Sequence, residues 1–208
     1  MQSSRHCWSV VSLVLLGLAS ASGQDTPDPQ PAAGQMAKAE VGKPAPDFEL
    51  KDTTGKTYTL SALKDKIVVL EWVNQDCPYS NDNPRTGALP KMKELSRKYA
   101  EKGVVWLAID STWGRTPEQD EKYRTAKEIP HPILLDSEGK VGRAYGAQTT
   151  PHMFIINKGT LVYAGAHWDK DNSRDYISES LDAILAGKEV PLAQTRSYGC
   201  SVKYKGAR

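Results

Sequence analysis

Apolar positions along the chain alternate between two periods. Ile67 to Val73 is a nearly continuous apolar run, the pattern of a strand buried on both faces of a parallel sheet. Val104 to Ile109 repeats that pattern. Met153 to Ile156 supplies a third run, which turns back through Asn157-Lys158-Gly159 into Leu161-Val162-Tyr163. Phe48 to Leu50 and Tyr58 to Leu60 predict two short strands around a turn at Asp52 to Gly55. Between these runs the period becomes helical. Leu89, Met92, Leu95 and Tyr99 fall on one helix face that ends near Gly103. Tyr123, Ala126 and Ile129 predict a second helix, stopped by Pro130. Ile177, Leu181, Ile184 and Leu185 predict a third, capped by Asn172 or Ser173 and ended at Gly187. Strands alternating with helices, then a hairpin and a final helix, predict an α/β sheet.

The N-terminal segment follows another logic. Arg5 and His6 precede a compact apolar stretch, Val10 to Ala19, and the small residues Ala19-Ser20-Ala21. Residues 1–23 therefore read as a cleavable secretory signal, which predicts a periplasmic or secreted protein. The apolar stretch is too short to cross a bilayer comfortably, and no later stretch is long enough. Residues 24–40, rich in Pro, Ala, Gln and Gly, predict a disordered linker. One domain over residues 41–190 and a tail over 191–208 complete the expected organisation. A formal net charge of +2, with no basic stripe interleaved with aromatics, excludes a nucleic-acid partner.

Removal of the signal takes Cys7 with it and leaves Cys77 and Cys200, enough for one disulfide in an oxidising compartment. Cys77 lies in Asp76-Cys77-Pro78-Tyr79-Ser80, directly after the first long strand. That order predicts a helix start with Pro78 just inside it. A thiol at the positive end of a helix is biased toward thiolate, the reactive form. The polar neighbours Asp76, Ser80 and Asn81 predict an accessible sulfur rather than a buried one. Glu71, six residues earlier, has two readings. Beneath the thiol it would be a buried proton carrier with a raised pKa; otherwise it is an exposed or Lys-paired strand acid. Cys200 has three: a resolving thiol for Cys77, a permanent bridge to it, or an independent thiol. His131, His152 and His167 show none of the paired spacings of a strong metal site, so neither metal nor cofactor is expected.

The segments Gly42-Lys43-Pro44-Ala45-Pro46-Asp47-Phe48, Asp76-Cys77-Pro78-Tyr79, Ala144-Tyr145-Gly146, Thr150-Pro151-His152 and Gly199-Cys200-Ser201-Val202-Lys203-Tyr204 carry a resemblance. Together they resemble the redoxin branch of the thioredoxin-like superfamily, grouped with the alkyl hydroperoxide reductase/thiol-specific antioxidant proteins. The tail is similar to that of peroxiredoxin-like members ending in Gly-Cys-Ser-Ile-Lys-Trp. The resemblance implies a thioredoxin-like fold, a central mixed sheet flanked by helices, with an N-terminal β-hairpin extension. It also implies a cis bond at Thr150-Pro151, where Thr150, Pro151 and Pro78 would hold a substrate beside Cys77.

Two departures shape the functional expectation. Ser80 occupies the second position of the thioredoxin Cys-x-x-Cys, so any intramolecular partner of Cys77 must be Cys200. The peroxiredoxin Pro-x-x-x-Thr-x-x-Cys is absent, and Asn74 stands three before Cys77. The expected function is an exported thiol–disulfide oxidoreductase acting on protein thiols and disulfides, with Cys77 and Cys200 catalytic and Glu71 assisting. The alternatives are a thiol peroxidase acting on hydroperoxides, or a non-catalytic redoxin scaffold that binds a partner or copper. The oligomeric state is left open.

Overall fold

The computed structural model describes residues 36–171 and 173–206. The expected signal segment lies outside them, as does the linker up to residue 35. Within the stretch expected as a linker, Met36 and Ala39 pack against the core, and the Ala39 amide donates to the Ala144 carbonyl at 2.8 Å.

The body is a five-stranded mixed sheet. Its strands are β3 (Ile67–Trp72), β4 (Val105–Asp110), β5 (Ile133–Leu135), β7 (His152–Asn157) and β8 (Thr160–Gly165), in the order β5-β4-β3-β7-β8. β3 runs parallel to β4 and antiparallel to β7, so the strand that leads to Cys77 is central. A separate hairpin pairs β1 (Glu49–Lys51) with β2 (Thr57–Thr59). The chain thus has the thioredoxin-like α/β architecture with an N-terminal hairpin that its sequence implied.

Strand periodicity divides β3 between two apolar layers. Val68, Leu70 and Trp72 pack with Leu107, Ile109, Phe154 and Tyr145 on one face. Val69 packs on the other with Met92, Leu95 and Tyr99 of α1 (Leu89–Ala100) and with Ile177 and Leu181 of α4 (Tyr176–Leu185). Val73 joins Ala108, Ile133 and Tyr123 of α2 (Pro117–Ala126). β8, at the sheet edge, alternates between buried and half-buried positions.

Three local expectations change. The helix after Cys77 does not begin there: α1 starts at Leu89, with Pro90 in its first turn. The intervening segment is turned by asparagine side chains. Asn81 accepts from the Asn83 amide, and Asn83 from the amides of Arg85 and Thr86. These local bonds compete with a helical ladder, and Pro84 removes a donor from it. The final helix is capped by Asp175, whose carboxylate accepts from the Ser178 amide at 2.9 Å, rather than by Ser173; Asn172 lies outside the described residues. Ile129 lies beyond the end of α2, although it is buried as its spacing required.

Elements too short to announce themselves complete the fold. α3 (Lys140–Tyr145) lies between Gly139 and Gly146, both in the left-handed conformation. β6 (Thr149–Thr150) pairs with β9 (Cys200–Ser201), setting Thr150 opposite Cys200. The tail is therefore a strand of the fold. Its Val202 amide donates to the Gln148 carbonyl, and the Lys203 carbonyl accepts from the Trp113 amide. The Tyr204 hydroxyl donates to the Ala147 carbonyl at 2.8 Å.

Candidate active site

Cys77 ends the loop that leaves β3. Its amide donates to the Asn74 carbonyl, and its carbonyl accepts from the Ser80 and Asn81 amides. This is one isolated turn, so any dipole at the sulfur comes from a few amides rather than from a long helix. The side chain is also buried, 1% exposed, against the accessible sulfur expected from its polar neighbours. The polar side chains turn elsewhere. Ser80 Oγ, itself buried, accepts from the Asn74 amide, while Asp76 and Pro78 face outward.

The cover over Cys77 is the β6–β9 pair. The Thr150-Pro151 peptide is cis, as the resemblance implied. As a thiol, Cys77 donates to the Thr150 carbonyl at 3.0 Å. As a thiolate it loses that bond and accepts only from neighbouring N–H and S–H donors. Burial pushes its pKa up, but donors more than offset this: the Cys200 thiol and the amides of Cys200 and Tyr79. The net direction is down from the ordinary value of 9.0. The Thr150 hydroxyl is buried and has no hydrogen-bond partner among the described residues. Cys200 is half-buried, and its pKa is pushed up to about 11 by desolvation and by the Cys77 sulfur beside it. The structure therefore brings together Cys77, Cys200, Thr150 and Pro151, with both cysteines free.

Glu71 sits apart, on the face of β3 that packs against the helices. It is 1% exposed, so the exposed-acid reading is overturned. One oxygen accepts from the Trp106 indole N–H at 2.8 Å; the other has no partner among the described residues. Burial raises its pKa to about 7, and the Trp106 bond only partly opposes this. His131 Nε2 approaches to 3.8 Å, but burial holds that imidazole down at about 3. The contact is thus neutral rather than an ion pair around pH 5 to 7.

Sequence reasoning missed Arg115. Its side chain is 9% exposed and bonds Asp76 of the Cys77 loop, with the Asn74 side chain at 3.5 Å. On its inner side it faces Asp110 at 3.7 Å and Asp120 at 3.9 Å. Burial and the neighbouring Asp110 charge push the Asp120 carboxyl well up. Arg115 thereby ties the nucleophile loop to β4 and α2. No motif in Gly114-Arg115-Thr116-Pro117 announces this. That segment reads only as a turn and a helix start, which it also is, through the Thr116–Gln119 capping box.

Among the described residues, no group of three or more His, Cys, Asp or Glu side chains is placed to hold a metal ion. His152, which follows Pro151, accepts from the Gln148 amide and packs on Phe154 at 4.5 Å.

A thioredoxin-like sheet with a thiol at the end of its central strand, facing a cis-proline step, defines the class of redoxin-type thiol enzymes. Within that class the chain belongs to the AhpC/TSA family, whose model matches residues 41–164. Thiol-disulfide oxidoreductase ResA of Bacillus thuringiensis subsp. konkukian is 32% identical over 125 residues, 60% of this chain and 68% of the relative. A hypothetical protein of Sinorhizobium meliloti 1021 superposes with a TM-score of 0.72 at 28% identity, covering 83% of this chain and 99% of the other. A conserved protein of Geobacillus kaustophilus gives 0.73 at 29% identity, covering 84% and 97%. The protein is an enzyme of this thiol-redox kind.

Proposed function

We propose that the protein is an exported thiol–disulfide oxidoreductase whose working pair is Cys77 and Cys200. The observation that carries this reading is the strand pairing of Thr150 with Cys200, which holds the second thiol as a donor to the first. A sulfur surrounded by donors is suited to leave and re-form a disulfide as a thiolate. A permanent bridge would make no use of those donors, and an independent Cys200 would not be paired into the site. In each cycle the Cys77–Cys200 disulfide accepts two electrons from two thiols, which become a disulfide; the reverse reaction reduces one. Pro78, exposed beside the buried Cys77, lines the approach, while the Thr150-Pro151 step is buried under the paired tail. Glu71, poised to change protonation near neutrality, stores a proton beneath the strand.

Export rests on the signal pattern of residues 1–23. No helix among the described residues is long and apolar enough to cross a membrane. N-terminal sequencing of the protein recovered from the expressing cell checks this, with cleavage after the small-residue site expected.

The test of function mixes reduced protein with a protein disulfide and, separately, with hydrogen peroxide. Disulfide turnover that needs both cysteines, with peroxide oxidising Cys77 no faster than free cysteine, supports exchange. Rapid sulfenic acid formation at Cys77 without disulfide turnover would overturn it in favour of a peroxidase.

A further inference from the structure

The edge beside the cis-proline step is already occupied. Thr150, whose backbone a partner strand was expected to pair with, is paired with Cys200 of the same chain. This tail is held on both sides of the cysteine. Upstream, the Thr195 hydroxyl accepts from the Ala166 amide at 2.9 Å, and the Tyr198 hydroxyl meets His167 Nε2 at 3.2 Å. Downstream, Val202, Lys203 and Tyr204 are bonded as described above. Gly199 fits the approach: a Cβ there would lie 2.2 Å from the Thr150 carbonyl oxygen, and its φ is +137°. The strand is built into place, and a partner chain does not displace it without breaking all of these contacts.

The two sulfurs therefore differ in access. Cys77 is enclosed, whereas Cys200 lies half-buried at the surface, near exposed Tyr79, whose ring stands edge-on to Tyr198 at 6.4 Å. From this geometry we infer that electrons enter the oxidised pair at Cys200, with Cys77 as the leaving sulfur. This rests on the proposed exchange function and reverses the order expected from sequence, in which Cys77 meets the partner and Cys200 resolves.

The step balances as follows. An incoming thiolate attacks Cys200 Sγ, forming a mixed disulfide and breaking the Cys77–Cys200 bond. The electron pair of that bond goes to Cys77 Sγ, which leaves as a thiolate held by the Tyr79 and Cys200 amides. A second thiolate attacks the incoming sulfur of the mixed disulfide, releasing Cys200 and forming the product disulfide. Two thiols are oxidised, and the enzyme pair is reduced to two thiols. The lower-pKa sulfur is the better leaving group, so electronic preference and access agree.

The experiment treats oxidised full-length protein with limiting glutathione, quenches in acid and maps the adduct by mass spectrometry. The inference predicts glutathione on Cys200 in about tenfold or greater excess over Cys77. Adduct on Cys77, or equal labelling of both, overturns it. The single variants give a second reading. With glutathione disulfide in excess over glutathione, Cys77→Ser should retain a Cys200 adduct, whereas Cys200→Ser should accumulate little on Cys77. The opposite pattern also overturns the inference. Starting protein in which Cys77 and Cys200 do not link instead defeats the exchange reading itself, and the inference with it.

Discussion

Cys77 and Glu71 are buried to the same extent, each 1% exposed, and each can carry a negative charge. Their responses are opposite. The pKa of Cys77 falls below its ordinary value, while that of Glu71 rises to about 7. Burial raises both. The difference lies in the donors. The sulfur faces a thiol and two amides, whereas Glu71 has one indole N–H and a second oxygen without a partner among the described residues. Desolvation alone thus does not determine whether a buried group is anionic; the count and aim of its donors do. One site favours its charged form more than a free group does, and the other favours its proton.

The largest effect expected is at the sulfur itself. Cys77→Ser should reduce exchange with a protein disulfide to background, as read by a turnover assay. Appreciable residual turnover would show that Cys200 works alone. Next in size, Arg115→Gln should cost about 3 kcal/mol in denaturant unfolding, because it removes the counter-charge from buried Asp110 and Asp120. It also frees Asp76, so turnover should fall together with stability. An unchanged midpoint would mean that the two carboxyls are settled by a shared proton alone.

Glu71 gives the comparison a pH signature. Its folded pKa is raised, from an ordinary value of 4.5 to about 7. The folded state therefore binds more protons than the unfolded state between those values. Stability from this group is fully present below pH 4.5 and is lost as pH rises toward and through 7. The loss above that window is on the order of 3 kcal/mol. Glu71→Gln keeps the Trp106 partner and removes the titration. Relative to wild type, it should gain stability across the same window, followed by unfolding at a series of pH values. Parallel curves for the two proteins would contradict the raised pKa.

Smaller effects probe the tail. Gly199→Ala should weaken the β6–β9 pairing by about 2 kcal/mol, from positive-φ strain and the clash with Thr150. This corresponds to a roughly thirtyfold lower effective concentration of Cys200 at Cys77. It is read as the glutathione potential needed to close the disulfide, with little change in global unfolding. The last comparison sets Cys200→Ala against Cys200→Ser. Serine keeps a donor and alanine removes it, so the alkylation midpoint of Cys77 should move up further in the alanine variant. Identical midpoints would exclude residue 200 as a donor.

Much of this was legible in the sequence. The apolar runs located β3, β4 and β7, and the helical spacing of Leu89, Met92, Leu95 and Tyr99 located α1, because burial imposes a period on long elements. Cys77, Cys200 and Thr150-Pro151 were visible as residues. Their relation was not: a two-residue strand such as β9 has no periodicity, and the residues that seat it, Gly199 and Tyr204, lie far from Cys77 in sequence. The burial of Cys77 was misread for a related reason. Its neighbours are polar, but a covering segment more than a hundred residues away in sequence excludes solvent. Arg115 was illegible because its partners come from three different elements.

Peptide mapping of the native protein equilibrated in a glutathione redox buffer tests the central claim most directly. The account predicts one linked peptide joining Cys77 to Cys200, which forms and opens while the chain stays folded. Two separately alkylated cysteines under oxidising conditions, or a bridge that opens only on unfolding, would contradict it.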